Sequence, residues 1–376
     1  MRAKTASGAG TLRLTEQVSG ESLKKKQLIL SGIVALVLIV LVLWARQRIS
    51  FDFGAFRAQL SQADWSKIAL ALGCIYAGYL IRSVRWALLM RHNRKVGLLS
   101  LLGTQVIGFT AVALIGRVAD LVRPYLVAKK TGTTIGAQIA VYIVERLSDA
   151  GAMALIFSAV IVLSPAGALP HPEIVRKAGY WGLAASVAGA LFLVALRLSG
   201  GVLATMIEHV LGFASDKLAK AVGDKIRTFQ AGLDTIRSFA DFAMLTALSI
   251  VMWLLIASGY LLTTLAFVKS PELATMTPGK SVLLMAASGG ASILQLPVIG
   301  WFTQIGLVAA TIRGLGASVE ASTACAATLL LVTFLGIVPV GLIWAQLQHV
   351  SLRNVAEESE HAGEELKAHE TPDAAP

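Results

Sequence analysis

The chain has 376 residues, of which 56% are hydrophobic and 15% are charged, and its mean hydropathy is +0.71. Ordinary soluble domains are about half apolar and about a quarter charged. With only two cysteines, each inside an apolar run, the composition excludes a soluble enzyme, a disordered chain and a disulfide scaffold. The remaining class is a polytopic membrane protein. The net charge of +11 comes from basic clusters that flank apolar runs, so we expect anionic lipid head groups as partners and no nucleic acid.

The N-terminal region combines a basic leader with an apolar run. Residues 1–26 are polar and end in three lysines, which predicts a cytoplasmic leader with little fixed structure. No small-residue cleavage site follows the run from Leu28 to Trp44, so we interpret this run as a retained signal anchor rather than a cleaved signal peptide. This pattern predicts a multi-pass protein of the plasma (inner) membrane with a cytoplasmic N terminus.

Seven further apolar runs follow the anchor. They cover residues 67–90, 98–115, 137–163, 179–198, 242–268, 281–312 and 322–346. None shows the two-residue alternation of a β-barrel strand, and backbone groups in lipid must be bonded internally, so all the runs are predicted to be helices. The acidic tail, residues 347–376, is predicted to be cytoplasmic like the N terminus.

Two of the runs are expected to be re-entrant hairpins. Basic residues lie on both sides of the run at 98–115, with Arg91 before it and Lys129 and Lys130 after it. A single crossing between them would place one of these basic loops outside. We therefore prefer a hairpin over residues 98–126 that enters from the cytoplasm and returns to it, with a full crossing as the alternative. Residues 281–312 are too long for one crossing and are predicted to dip from the outside.

These assignments give about six full spans plus two re-entrant helical hairpins. The predicted fold class is all-α, a polytopic helical membrane protein whose two halves form an inverted repeat with a site where the broken helices meet. Between the leader and the tail, a transmembrane domain is predicted over residues 27–346. It consists of a first half at about 66–165, a cytoplasmic amphipathic segment at 202–240 and a second half at about 242–346. A soluble helical hairpin is the alternative for the amphipathic segment.

Eight charged residues fall inside or beside the apolar runs of the first half. They are Arg82 and Arg85, then Arg117, Asp120 and Arg123, then Glu145, Arg146 and Asp149. Spacings of three and four residues place members of each group on one helix face. Charges at membrane depth are costly and usually functional, and the surplus of two positive charges suits an anionic head group. The alternative is that all eight pair with one another or reach the membrane interface.

The second hairpin offers neutral candidates for the same substrate-binding site. They are Gln295, Pro297, Gly300 and Gln304. The proline frees a carbonyl, the glycine permits a tight turn, and the glutamines can contact a polar head group or, alternatively, a neighbouring helix. No histidine lies in an apolar span, and the sequence has neither a nucleotide-binding loop nor a metal-ligand cluster. We therefore expect no catalytic residue, no metal site and no cofactor.

At these residues the chain resembles the flippase-like, lysylphosphatidylglycerol-synthase transmembrane-region family. The motifs that carry the resemblance are Arg82-Ser83-Val84-Arg85-Trp86, then Ile107-Gly108-Phe109 leading into Gly116-Arg117-Val118-Ala119-Asp120-Leu121-Val122-Arg123-Pro124, then Glu145-Arg146-Leu147-Ser148-Asp149. The match covers roughly residues 30–345. The family usually has a glutamate at the position of Asp120, and a glycine-rich turn after the proline where this chain has Gly300 and Trp301.

The resemblance implies a flippase or scramblase-like protein that moves a polar or charged lipid between leaflets and is not an enzyme. The synthase reaction belongs to a separate soluble domain in the fused members of the family, and this chain is expected to lack it. One alternative is a membrane enzyme or accessory subunit of lipid-linked glycan or hopanoid synthesis, with Glu145 or Asp149 as acid or base and a lipid-synthesis protein as partner. Another is a structural protein whose acidic tail binds a partner.

Overall fold

The computed structural model describes residues 51–91, 96–165, 172–212, 238–291 and 299–352, with residues 215, 220, 223, 354, 355 and 358. The predicted leader and signal anchor, most of residues 213–237 and most of the acidic tail lie outside the described residues. The described part is helical and contains no strand, which confirms the predicted all-α class.

Twelve helices are numbered here in chain order within the described ranges. They are α1 (Phe53–Ser61), α2 (Trp65–Met90), α3 (Leu98–Ile115), α4 (Val122–Thr131), α5 (Ile135–Leu163), α6 (Pro172–Gly212), α7 (Phe239–Leu265), α8 (Pro271–Ala274), α9 (Pro278–Ala291), α10 (Ile299–Gly314), α11 (Val319–Thr333) and α12 (Val338–Leu347). Short 3₁₀ turns at Arg117–Leu121 and Leu335–Ile337 precede α4 and α12. In this part of the chain α2, α3, α5 and α7 are long and apolar enough to cross a membrane, and the bent pair α11–α12 is a fifth candidate.

Helices α2 and α7 pack side by side along their whole length and run antiparallel. Helix α2 begins at Asp64, whose carboxylate accepts hydrogen bonds from Ser66 and Lys67; these bonds lower the pKa of Asp64 to about 2. At this end of the pair, Lys67 Nζ donates to the carbonyl of Leu265 over 3.4 Å. At the other end, Arg91 forms an ion pair with Asp241. Each helix therefore begins beside the end of its neighbour.

Helices α3 and α4 form a hairpin whose two ends lie together. Gly116 ends α3 with φ of 93°, a conformation that a residue with a side chain rarely adopts. The first turns of α3 pack against the end of α12, where a Cβ at Gly103 would lie 2.7 Å from Gln348 Nε2. At the end of α4, Lys130 Nζ donates to Gln348 Oε1 over 3.3 Å. Both arms therefore meet the same end of α12.

Helices α9 and α10 cover the range of the second predicted hairpin, and the residues between them lie outside the described part of the chain. They pack together, and Gln304 Nε2 donates to Ser288 Oγ across them over 2.5 Å. The prediction of one unbroken helix over 322–346 is wrong, because the helix breaks at Phe334 and bends by 42° into α12. Pro339 has no N–H to donate to the carbonyl four residues earlier, which explains the break.

The boundary predicted between an apolar run at 179–198 and an amphipathic segment at 202–240 is wrong. Helix α6 continues without interruption from Pro172 to Gly212, so residues 202–212 extend the same helix as the apolar run. A helix of 41 residues is about 60 Å long, well beyond the hydrocarbon thickness. The pair Gly200-Gly201 costs only about 2 kcal/mol of helix propensity, which does not break a long helix.

The helix packing repeats itself between the two halves. With α2 matched to α7, α3 to α9, α4 to α10 and α5 to the pair α11–α12, several contacts have a counterpart, although α5–α6 and α7–α11 do not. Contacts α2–α3, α3–α4 and α4–α5 correspond to α7–α9, α9–α10 and α10–α11. The contacts between halves are also paired, since α3 packs on α12 as α9 packs on α5. Because α2 and α7 run antiparallel, the second half repeats the first in the inverted direction.

Candidate functional site

Five of the predicted site residues meet in one buried cluster, called here the arginine cluster. Helix α2 supplies Arg82 and Arg85, α4 supplies Arg123, and α5 supplies Glu145 and Asp149. Arg85, Arg123 and Glu145 are 0% exposed, and the other two are at most 8% exposed. Residues separated by up to 67 positions in sequence are therefore brought together inside the helix bundle.

Glu145 lies at the centre of the cluster and contacts all three arginines. Its carboxylate is 3.3 Å from Arg82 Nη1, and 3.2 Å from both Arg85 Nη2 and Arg123 Nη1. It also accepts a hydrogen bond from Trp86 Nε1 over 2.8 Å. A buried carboxylate with four donor groups around it stays ionised and holds the arginines in fixed positions.

Asp149, one helical turn further along α5, holds the two arginines of α2. Arg82 Nη1 lies 3.1 Å from Asp149 Oδ2, and Arg85 Nη1 donates to Asp149 Oδ1. The Arg85 guanidinium also donates to Ser249 Oγ on α7 over 2.9 Å. The spacing of three residues on α2 and four on α5 turns both pairs toward the same interface, which is why the facing charges meet.

Arg123 reaches the cluster because α3 has a glycine opposite it. A Cβ added at Gly108 would lie 2.0 Å from Arg123 Cγ, so the arginine stem occupies the space of a missing side chain. Its Nη1 donates to Gln105 Oε1 on α3 over 2.9 Å. Glu145 lies ten residues into α5, about 15 Å along the helix, so the guanidinium ends well inside the bundle.

Aromatic rings separate the arginines of the cluster. The Phe109 ring centroid is 5.0 Å from Arg82 Cζ and 4.4 Å from Arg123 Cζ. Tyr142 stacks in turn between Arg123, at 5.1 Å, and Arg146, at 5.0 Å. The resulting series runs from the buried Arg82 to the half-buried Arg146, and the ring faces offset part of the repulsion between like charges.

The cluster carries more positive charge and more donors than its acids satisfy. Three buried arginines face two buried carboxylates, which leaves one positive charge. The N–H groups with no acceptor among the described residues are Arg85 Nε, Arg123 Nε, Arg123 Nη2, Gln105 Nε2 and Arg146 Nε. Buried donors of this kind are rare in folded proteins, and several in one place mark a position suited to an anion.

The other predicted site residues are spread more widely. The side chain of Arg117, and all of Gln295 and Pro297, lie outside the described residues. Asp120 is half-buried in the 3₁₀ turn, close enough for its charge to act on Arg146. Gly300 and Gln304 are buried on α10, and the amide of Gln304 contacts α9 rather than the arginine cluster.

Five residues that contact the cluster were not predicted as site residues. They are Trp86, Gln105, Phe109, Tyr142 and Ser249. Two of them occur within the motifs of the family resemblance, and Gln105 is the one amide in its apolar run. A lone amide in a predicted transmembrane helix is the sequence signal that could have found it. Over the part of the chain that the structure describes, no group of three or more metal-ligating side chains could hold a metal ion.

One protein family matches the chain. Its model, described as the Lysylphosphatidylglycerol synthase TM region, matches residues 28–343. Neither a curated protein nor a solved structure matches the chain. The matched range contains every helix of the arginine cluster and nearly all of both repeated halves. The protein is thus a multi-pass membrane protein with a link to lipids, and the chain belongs to the family of the lysylphosphatidylglycerol synthase transmembrane region.

Proposed function

We propose that this protein is an integral membrane lipid translocator, flippase or scramblase-like, that moves a polar or anionic lipid between the leaflets. The observation that carries the proposal is the set of buried arginine N–H groups without acceptors. In hydrocarbon surroundings each unsatisfied polar group costs several kcal/mol. A head-group anion would accept from these donors and balance the remaining positive charge of the cluster.

The arginines have unequal roles in this proposal. Arg123 and Arg146 keep donors free and so contact the head group. Arg117, whose side chain lies outside the described residues, is included in the proposal from its place in the sequence alone. Glu145 and Asp149 position the arginines and reduce the cost of burying them. Arg82 contacts both acids and holds them in place more than it binds the lipid, whereas Arg85 also contacts both acids but keeps its Nε without an acceptor.

The two hairpins are the proposed moving parts. Arg123 lies on the returning arm of the first hairpin, so a movement of α4 moves a head-group contact. The second hairpin approaches the first, since Trp301 Nε1 donates to the carbonyl of Ala113 over 3.2 Å. In this arrangement Gln295, Pro297, Gly300 and Gln304 complete the path on the other side. Alternating access by two inverted hairpins needs no added cofactor.

The enzyme alternative has less support. A general acid or base needs a carboxyl group that can exchange its proton with a substrate. Both oxygens of Glu145 accept from arginines or Trp86, and Asp149 is held by two arginines. Such carboxylates suit the positioning of cations better than proton transfer. In the cell we expect an inner-membrane protein with cytoplasmic termini, which receives its lipid from a lipid-synthesis protein.

The test measures movement of fluorescent phospholipids in proteoliposomes that contain the full chain. We expect Arg123→Gln to slow the movement at least tenfold, because a hydrogen bond to a charged group contributes about 1.5–3 kcal/mol. Arg313→Gln, an exposed arginine on α10 outside the cluster, is the matched control and should leave the rate unchanged. Arg123→Lys keeps the charge without the planar fork and should recover part of the rate.

Two outcomes separate lipid transport from the alternatives. If Arg123→Gln retains the full rate while the protein remains folded, the cluster is not the lipid path. A deletion strain separates the enzyme alternative by its lipid inventory. Loss of a translocator leaves every lipid chemically intact and on the wrong leaflet, whereas loss of an enzyme removes a lipid or accumulates its precursor.

A further inference from the structure

A second candidate site lies at the opposite end of α2 from Arg91. A groove of about 640 Å³ opens between α1, the first turns of α2 and the break that separates α11 from α12. Its volume is within the range of about 300–1,000 Å³ that small-ligand sites occupy. The walls are almost entirely apolar, with Leu60, Ile68, Leu72, Leu331, Val332 and Leu335 among the lining residues.

The groove lies beside the break between α11 and α12. Helix α11 ends at Phe334, and the chain continues through a 3₁₀ turn containing Gly336 before α12 begins. Gly336 lets this turn approach α2 closely, because a Cβ there would lie 3.0 Å from Leu72 Cδ1 and 2.9 Å from the carbonyl oxygen of Leu331. Helix α1 covers one side of the groove without burying any residue of its own.

One end of the groove is polar. Arg57 and Ser61 line it from α1, four residues apart and therefore on the same helix face. The Arg57 side chain is exposed, and Trp65 beside it is 59% exposed. Trp and Arg are typical of the membrane interface, where head groups lie. An apolar groove that ends at an arginine has the shape and charge of a phospholipid binding site.

The groove is separate from the arginine cluster. Ile68 in the groove and Arg82 in the cluster are fourteen residues apart on α2, which is about 21 Å along the helix. The two are connected by one aromatic series on that helix and α3. Tyr76 donates to the carbonyl of Gly336 at the groove, and Tyr79 packs edge-on between Tyr76 and Phe109 of the cluster.

We propose that the groove binds an anionic phospholipid, with an acyl chain between α2 and the α11–α12 break and its phosphate at Arg57. The apolar walls suit an acyl chain, and a single cation at the polar end complements one phosphodiester. The site adds to the translocation proposed above and does not depend on it, because the lipid binds here whether or not the arginine cluster transports lipid.

The experiment uses the full chain in vesicles of phosphatidylcholine with a photoactivatable phosphatidylglycerol whose diazirine is on the acyl chain. We expect cross-links to residues of the groove walls. Leu331→Trp fills the groove and should reduce these cross-links by about tenfold, the loss for one displaced favourable contact of about 1.4 kcal/mol. Leu254→Trp on α7, equally apolar and 47% exposed but outside the groove, is the matched control and should not reduce them.

Arg57→Gln tests the head-group contact separately. It should lower labelling by phosphatidylglycerol about threefold to tenfold, the range of a partly solvated charge-assisted hydrogen bond, without changing labelling by a diacylglycerol probe, which has no phosphate. Equal labelling in Leu331→Trp and the parent chain would overturn the proposal. So would a photoreactive residue at position 331 that cross-links to residues 28–44 of the same chain and not to lipid, because the occupant would then be the chain itself.

Discussion

The two halves of this protein share one packing scheme but differ in what they bury. In the first half α2, α4 and α5 bury three arginines and two acids. At the matching level of the second half, the described buried polar groups of α7, α9, α10 and α11 are serines, threonines and Gln304. Asp241 is the exception, and it pairs with Arg91 at the end of its helix. The inverted repeat is therefore symmetric in shape and asymmetric in charge.

This difference shows that packing and chemistry are separable in the fold. A neutral half demonstrates that the scaffold needs no ions to bury its helices, since serine and threonine hydroxyls bond to backbone carbonyls of their own helix. Ion pairs buried in a core are often replaceable by apolar groups without loss of stability. This contrast supports the proposal that the charges of the first half bind a ligand.

The largest expected effect is on stability and compares equivalent helices. Glu145→Gln removes the acid shared by three arginines, so we expect a loss of about 3–5 kcal/mol in free energy of unfolding, as for other broken buried pairs. Ser322→Ala on α11 removes a buried hydroxyl with no hydrogen-bond partner in the described structure and should be neutral. Thermal unfolding in detergent measures both. Similar losses in the two variants would remove the proposed asymmetry.

A smaller effect is expected from a methyl group in each hairpin. Gly108→Ala places a carbon 2.0 Å from Arg123 Cγ, which forces the arginine to move and should cost about 1–3 kcal/mol. Gly306→Ala on α10 meets no atom within 4 Å and should gain about 0.5–1 kcal/mol from reduced backbone entropy. Lipid movement should fall in the first variant alone. A stable, active Gly108→Ala protein would show that Arg123 has space that the structure does not indicate.

The smallest effect concerns the chain after α12, which packs against the first hairpin. Val355 is buried against α4, and Glu358 accepts from Tyr125 and lies 3.4 Å from Lys129 Nζ. The Tyr125 hydrogen bond and the Lys129 charge hold the pKa of Glu358 below its usual value. The contact is therefore complete above the ordinary carboxyl pKa of about 4.3 and is lost as pH falls through the lowered value.

Amide hydrogen exchange at Val355 measures this contact. We expect protection, corrected for the intrinsic rate, to decrease slightly below about pH 4, near the ordinary carboxyl pKa. Glu358→Gln should lower protection at neutral pH and remove most of that pH dependence. Protection that changes equally with pH in the parent and the variant would assign the effect to another group.

Charge spacing predicted the cluster because it is a local property of helices. Arg82 and Arg85 share one face of α2, and Glu145 and Asp149 share one face of α5, so opposite charges had to meet if the helices packed. The neutral members were missed for the opposite reason. Ser249 and Tyr142 look like ordinary helix residues, and only the tertiary packing of α5 and α7 shows what they contact.

Helix boundaries were harder to predict than helix faces. The run at 322–346 is uniformly apolar, so hydropathy gave no sign of the break at Phe334, although Pro339 did. At residues 198–202 the opposite error occurred. A boundary was predicted there, next to Gly200-Gly201, but α6 continues through it. Hydropathy reports whether a segment can lie in lipid. A helix break depends instead on whether individual backbone N–H donors are present and on which neighbouring groups replace the lost hydrogen bonds.

The central position of Glu145 has a consequence for how the protein is made. The ribosome delivers Arg82 to the membrane 63 residues before the carboxylate that neutralises it. Until α5 arrives, two guanidinium groups on α2 have no buried counter-ion, and their insertion alone is unfavourable by about 2.5–3.5 kcal/mol each. We therefore expect α2 to enter the bilayer together with α5, and Glu145→Gln to lower the membrane insertion of α2.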